Sequence, residues 1–386
     1  MLGRKKIFIE AQRLFRKNKH GMDVVALELL QRLKNSNTPY DITVLVKEDK
    51  SHCLQQGKTL KIQTLKAAFY PLWEQWILPR SVAKHKNSWL HCTGNTAPLW
   101  GKNPLLVTIH DLIFLENNYL LKKDGGSLYQ RFGNVYRSLV VPRVARRAKY
   151  IITVSEFQRQ QIMKRLSIKP SKISVVYNGV DERFFILADI ATLNTVKKKY
   201  SIGNIPYIFF LANTEPRKNT EAVLKAFTLF CDQYPQYQHK LLIKGLSSGQ
   251  LQKKIIVCGA TAAAHRIHPI GYIDYEDIPV LYQGATMLWF PSLSEGFGLP
   301  IVEAMAGGTP VITSSVSVMP EIAADAALYI DPHQPDELVK QTIVLLTDIS
   351  LRNKLIAKGR ERAKLFSWDQ SVRDLQVVYE KMLNEM

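Results

Sequence analysis

The segment with the most chemistry in it runs Glu295-Gly-Phe-Gly-Leu-Pro-Ile-Val-Glu303, directly after an apolar stretch that includes Leu288-Trp-Phe. A strand that enters a glycine-containing loop and leaves it as a helix aims backbone amides outward, toward an anion or a hydroxyl oxygen. Pro300 suits a first helical turn, and Gly296 and Gly298 permit positive φ and close approach of a ligand to the backbone. Carboxylates on either side of such a loop can hold two separate polyols, such as a sugar and a ribose. Taken singly, Glu303 reads as an exposed helix charge and Glu295 as a partner of the helix dipole. A second cluster, Glu215-Pro-Arg-Lys-Asn219, separates an apolar run at 207–212 from a periodic stretch that begins near Thr220. Arg217 and Lys218 then form a cationic strand-to-helix turn, with Asn219 or Thr220 as the N-cap candidate. Read plainly it is a solvated basic turn. It also suits a diphosphate leaving group, whose charge grows in the transition state. His110 and Asp111 follow the apolar run 105–109, so His110 stands at the carboxyl end of a strand.

These residues need a scaffold, and the hydrophobic pattern supplies one. Strand-like runs at 6–10, 41–46, 105–109, 150–154 and 173–177 alternate with helical periodicity at 21–34, 130–146 and 156–166. A second series has strands at 207–212, 240–244, 254–258, 287–290, 310–313 and 327–330, with helices at 220–232, 300–306, 336–347 and 350–366. Such alternation predicts an α/β fold with parallel sheets and helices on both faces. The rhythm breaks after Asn178-Gly-Val-Asp181, and a polar stretch follows through Lys197-Lys-Lys-Tyr200. We therefore expect two Rossmann-like doubly wound domains facing across a cleft, spanning 1–183 and 184–366, with ligands outside the carboxyl ends of the strands. Ser367 with Gln370 forms a capping-box pattern that opens a last helix within 367–386.

Composition narrows the class. The chain has 386 residues, 46% hydrophobic and 22% charged, which is ordinary for globular proteins and enough for two cores. Cys53, Cys92, Cys231 and Cys258 show no C-x-x-C spacing, so buried free thiols in a reducing compartment are expected rather than a metal or disulfide framework. The apolar run near the start is too short for a signal peptide, and no stretch is long enough to span a membrane, which predicts a cytoplasmic, soluble or peripheral protein. A formal charge of +19 attracts anions. No base-stacking or groove-reading motif accompanies it, so nucleic acid is not expected as a partner. The stretch Tyr70-Pro-Leu-Trp-Glu-Gln-Trp-Ile-Leu-Pro-Arg reads as a buried helix with Leu72, Trp73, Trp76 and Ile77 on one face, or as a membrane-facing amphipathic element. Arg143, Arg146, Arg147 and Lys149 form the densest basic cluster of the first half, suited to an anionic membrane or a lipid diphosphate.

The whole pattern resembles the retaining family-4 glycosyltransferases of GT-B fold, which carry a Glu–seven residues–Glu signature in this setting. Further matches in order are Thr108-Ile-His-Asp111, Val154-Ser-Glu-Phe157, Val176-Tyr-Asn-Gly-Val-Asp181, Glu215-Pro-Arg-Lys-Asn219 and Gly271-Tyr-Ile273. The resemblance implies a donor site in which Glu295 binds sugar hydroxyls and Glu303 the ribose. It implies that Gly296, Phe297, Gly298 and Leu299 meet sugar and phosphate through their amides, and that Ile273 meets the base through its backbone. Arg217 and Lys218 would hold the diphosphate, and His110 would meet the sugar or acceptor near the reacting carbon. Relatives have a glycine-rich loop after their first strand. This chain has Arg16-Lys-Asn-Lys-His-Gly21 there, so Gly21 is the remaining candidate for close approach to the diphosphate, and Arg16, Lys17, Lys19 and His20 for an anionic acceptor. The family's last helix crosses back onto the first domain. No Asp-x-Asp occurs, which fits transfer without a metal or other cofactor. The resemblance implies a nucleotide-sugar donor, GDP-mannose before UDP-hexoses, and a glycan or lipid-linked acceptor in surface polysaccharide assembly. An epimerase or a non-catalytic binding protein is the alternative.

Overall fold

A computed structural model describes residues 5–15, 19, 21–48, 51–115 and 128–385. The chain divides into two compact units, Met1–Gly179 with Trp368–Met386, and Val180–Ser367. The expected boundary at 183/184 thus lies at 179/180, and the C-terminal helix groups with the first unit.

In the first unit β1 (Lys5–Glu10), β2 (Tyr40–Val46), β3 (Leu60–Thr64), β4 (Ser88–Cys92), β5 (Leu105–Ile109), β6 (Tyr150–Thr153) and β7 (Ile173–Val175) form one sheet in the order β3-β2-β1-β4-β5-β6-β7. Every neighbouring pair is parallel. Helices cover both faces, which is why strands such as Leu105–Ile109 and Tyr150–Thr153 read as unbroken buried runs. The order reverses between β1 and β4, so the crevice at the carboxyl ends of those two strands is the topological switch point. The helix Trp368–Asn384 places Leu375, Tyr379 and Met382 in the same core cluster as Ile7, Ile9 and Tyr40. Its Tyr379 hydroxyl meets Nδ1 of His91 at 2.7 Å, and Nε2 of His91 meets the Thr108 hydroxyl at 2.8 Å. Burial pulls the His91 pKa down to about 3, so the ring is neutral.

In the second unit β8 (Tyr207–Leu211), β9 (Lys240–Lys244), β10 (Ile267–Ile270), β11 (Met287–Phe290), β12 (Val311–Ser314) and β13 (Leu328–Ile330) form a second parallel sheet, in the order β10-β9-β8-β11-β12-β13. Here the switch point lies between β8 and β11. The run 254–258, expected as a strand, is instead the end of the helix Ser248–Val257. Ser247 and Gln250 close a capping box, which commits the segment to helix, and Ile256 and Val257 stay exposed. The strand position falls to 267–270.

The 70–83 segment is helical but not as expected. Trp73 is buried, whereas Trp76 is 52% exposed. The turn Trp73–Ile77 is a π-helix, and its wider pitch rotates Trp76 off the face that Trp73 occupies. Among the cysteines, all free, only Cys92 is fully buried; the other three are partly exposed.

Candidate active site

Strand β11 ends at Phe290, and the chain crosses Glu295 to reach the helix Leu299–Ala306. Gly298 is the N-cap at φ 96°, and a Cβ there would meet Cδ1 of Ile301 at 3.3 Å. No side chain caps this helix end, and Pro300 occupies its first turn. Pro300 has no N–H and the Ile301 amide turns back to the Gly298 carbonyl at 2.9 Å, so Leu299 carries the first-turn amide that faces outward. Phe297 points away: it is buried and packs edge-on against Phe366, 5.5 Å between ring centres.

The strand β8 loop meets this one from the other side of the switch point. Pro216–Lys218 makes one 3-10 turn, and Asn219 sits at φ 58° as N-cap of the helix Thr220–Gln233. Asn219 does not cap with its side chain. Its amide donates instead to the carbonyls of Pro291, at 3.1 Å, and Pro332, at 2.7 Å, and so ties the end of β8 to the ends of β11 and β13. The Leu293 amide donates to the Arg217 carbonyl at 2.8 Å.

That stapling brings three charges together. Glu295, 8% exposed, accepts from Lys218 Nζ at 2.6 Å through Oε1 and from Arg217 Nη1 at 2.5 Å through Oε2. Arg217 also pairs with Glu215. Lys218 Nζ lies 4.7 Å from the centre of the Phe290 ring. Burial alone would raise the Glu295 carboxyl, but Arg217 and Lys218 outweigh it and hold it at about 2. Glu295 is therefore a fixed carboxylate at any working pH, and neither a simple dipole partner nor a proton donor. The Arg217–Lys218 turn is likewise not a solvated one.

Glu303 is half-buried on the helix and accepts from the Tyr282 hydroxyl at 2.9 Å. Burial pushes its carboxyl up against the opposing pull of Tyr282, Lys244 and Arg183. Lys244 ends β9, and burial lowers its own pKa while the Glu303 charge raises it. Gly245 follows at φ 102°, where a Cβ would collide with the Ala212 carbonyl oxygen at 2.1 Å, so the β8 and β9 ends approach backbone to backbone. Arg183 stacks on the Tyr275 ring at 3.6 Å and pairs with Asp181. Lys244, Arg183 and Tyr282 are the members that sequence reasoning did not assign. Ile273 is 3% exposed, so only its backbone can meet a ligand.

His110 belongs to the first unit and is 7% exposed. Its amide donates to Oδ1 of Asn95 at 2.6 Å, and Nε2 lies 2.8 Å from the Thr93 carbonyl oxygen. A carbonyl only accepts, so Nε2 carries the proton and Nδ1 is the acceptor. Burial lowers the His110 pKa, which keeps this tautomer uncharged near neutrality. Gly21 opens the helix Gly21–Leu33, with open space where a Cβ would stand. Arg16, Lys17 and His20 lie outside the described residues, and Lys19 reaches Ser51 at 3.4 Å. In the basic cluster, Arg147 is held by the carbonyls of Pro98 and Gly101, and Lys149 pairs with Glu385, so neither is a loose surface charge. Among the described residues no cluster of three or more His, Cys, Asp or Glu side chains could hold a metal, and no helix is long and apolar enough to cross a membrane.

Two family models match the chain. Glycosyltransferase Family 4 covers residues 19–184, and Glycosyl transferases group 1 covers residues 194–362, so that between them they take in both units. The chain belongs to glycosyltransferase family 4. The first of these ranges takes in His110, and the second takes in the Arg217–Lys218 turn and the Glu295–Glu303 loop. Among curated relatives, the O-antigen chain mannosyltransferase B of Escherichia coli is 32% identical over 222 residues, which is 58% of this chain and 58% of that protein. The chain thus matches just over half the length of that relative. The O-antigen chain mannosyltransferase RfbU of Salmonella typhimurium is 26% identical over 72% of this chain and 70% of its own. Anabaena HepE, solved in complex with UDP and glucose, superposes with a TM-score of 0.72 over 98% of this chain and 100% of its own, at 16% identity. That likeness shows the fold, GT-B, in which each unit is one of two doubly wound domains.

Proposed function

We propose that this family-4 glycosyltransferase moves a hexose from a nucleotide sugar to a glycan or lipid-linked oligosaccharide in surface polysaccharide assembly, with mannose from GDP-mannose as the favoured donor. The observation that carries the reading is the Glu295 carboxylate held by Lys218 and Arg217 at the switch point of the second sheet. A permanently ionised carboxylate beside two cations matches the two halves of a sugar diphosphate: hydroxyl donors on one side, phosphate oxygens on the other. Glu303, with Tyr282 beside it, is placed to accept from a ribose diol, and the backbone at Ile273 is left to meet the base. The amides of Gly296, Gly298 and Leu299 serve the sugar and adjoining phosphate.

The reaction we infer is retaining and needs no metal. Arg217 and Lys218 supply the positive charge that a leaving diphosphate requires. The acceptor hydroxyl attacks the face that the diphosphate leaves, and the departing phosphate oxygen takes its proton. We assign Glu295 to hydroxyl binding rather than covalent catalysis: each carboxylate oxygen that accepts from one cation can accept a second hydrogen bond, and the two cations hold the group in place. His110, neutral and with no partner on Nδ1 among the described residues, can accept a hydroxyl hydrogen from the sugar. The mannosyltransferase relatives favour mannose, and the HepE complex with UDP keeps a UDP-sugar as the second reading. A lipid-linked acceptor would bring the protein to the cytoplasmic face of an anionic membrane. The exposed pair Trp76 and Trp100, with Arg80 stacked 3.7 Å over Trp76, is a surface that supports such contact.

A thermal-shift panel of nucleotides and nucleotide sugars tests the reading. A ligand at about 100 times its Kd stabilises by roughly 2.7 kcal/mol. Response to no nucleotide contradicts the proposal; preference for UDP over GDP overturns only the base.

A further inference from the structure

Lys244 ends β9 with its backbone pinned. Its carbonyl accepts from the Ala212 amide at 2.8 Å, and Gly245 beyond it leaves no room for a Cβ against the Ala212 carbonyl. Side chains alternate along a strand. Leu241 and Ile243 join the core cluster of Val223 and Phe227, so Leu242 and Lys244 face the opposite side of the sheet. Phe209 faces that side too, since its neighbours Ile208 and Phe210 belong to the same cluster. Tyr282 packs on Phe209, 5.2 Å between ring centres, and its hydroxyl holds Glu303. The half-buried Lys244 amine feels the Glu303 charge, yet it makes no hydrogen bond or ion pair among the described residues. An ammonium with three donors unused is costly to bury unless a ligand completes it.

Its place in the sheet points to which part of a ligand that is. Arg217 and Lys218, the cations given to the diphosphate, follow β8. Lys244 stands one strand further from the switch point, level with Ile270 of β10. Beyond Ile270 the chain enters 271–273, whose backbone is left to meet the base because the Ile273 side chain is buried. The Lys244 side chain thus lies between the glutamate given to the ribose and the segment given to the base. An ammonium only donates. It pairs with a carbonyl oxygen on a base edge, as guanine and uracil present, whereas adenine and cytosine carry an amino group at that place and leave both groups unpaired.

We propose that Lys244 is a specificity-determining residue of the donor site: its amine donates to the exocyclic carbonyl oxygen of the base, O6 of guanine or O4 of uracil, and so selects oxo bases over amino bases. The inference rests on the nucleotide-sugar reading and adds to it the class of base.

Isothermal titration calorimetry of the full chain with GDP, UDP, ADP and CDP tests it. Wild type should prefer UDP to CDP and GDP to ADP by about tenfold or more, the scale of one hydrogen bond to a charged group. Lys244→Met keeps an unbranched stem and removes the donor. Both ratios should then fall to about threefold or less, with UDP and GDP losing affinity while CDP and ADP hold theirs. Lys244→Gln, whose amide accepts as well as donates, should narrow the same ratios by admitting CDP and ADP. Melting curves without nucleotide check that both variants fold. A wild type that binds all four nucleotides alike overturns the inference, whatever the variants do. So does a folded Lys244→Met that weakens all four by one factor, the result expected of an amine that serves ribose or phosphate. Either result leaves the nucleotide-sugar reading standing; a wild type that binds none of the four sinks that reading and the inference with it.

Discussion

Replacing Glu295 with glutamine probes the charge cluster at the centre of the second unit. The carboxyl sits at about 2 instead of 4.5, because two cations more than offset its burial. That displacement corresponds to about 3 kcal/mol in favour of the ionised form in the folded state. A carboxyl with a lowered folded pKa makes the folded state bind fewer protons than the unfolded one. Its contribution is fully present above pH 4.5 and fades as pH falls from 4.5 toward 2. Glu295→Gln removes it and leaves Lys218 and Arg217 facing an amide. Breaking one partner of a buried pair costs roughly 3–5 kcal/mol. Arg217 retains Glu215, so the lower end, about 3 kcal/mol, is expected here. Urea unfolding followed by tryptophan fluorescence at pH 7 reads the difference, and the gap between wild type and variant should narrow below pH 4.5. GDP or UDP should restore part of the loss, since the diphosphate supplies the missing negative charge. A loss under about 1 kcal/mol at pH 7, or a gap that stays constant with pH, would refute the argument that these three charges act as one unit.

Other consequences are as specific. Glu10 is the opposite case: burial raises its carboxyl from 4.5 to about 7, so its folded state holds the proton more tightly. Stability should therefore fall by about 3 kcal/mol as pH rises from 4.5 to 7, and Glu10→Gln should flatten that part of the profile in urea titrations. Gly298→Ala forces a Cβ into φ 96° against Ile301 and should cost about 1–3 kcal/mol by the same assay, with weaker nucleotide binding because the helix amides move. Glu303→Gln, which keeps an acceptor for Tyr282, should raise the Kd for nucleotides by about tenfold without loss of melting temperature, the effect of one weakened charged hydrogen bond.

The sequence was most informative where one segment carried both the element and its chemistry. Glu295, Gly298 and Pro300 lie on one strand–loop–helix run, so the loop and its helix were legible together. The ion cluster was only half legible. Arg217 and Lys218 could be marked as a cationic turn, but their pairing with Glu295 depends on β8 and β11 being neighbours at the switch point, a fact of strand order and not of local pattern. Asn219 looked like a helix cap, and its side chain proved to be a staple between strand ends because a positive φ turns it toward Pro291 and Pro332. The apolar run 254–258 misled because a short run fits strand and helix alike, while the capping box at 247–250 was the deciding signal. Trp76 was misplaced because periodicity assumes 3.6 residues per turn, and the segment runs as a π-helix there.

Hydrogen exchange on the free and GDP- or UDP-saturated protein tests the central claim most directly. The account predicts that nucleotide slows exchange at 215–219, 271–275 and 295–303, the three segments that hold the cations, the base-facing backbone and the two glutamates. Nucleotide that binds yet protects none of these, or protects only segments of the first unit, would contradict it.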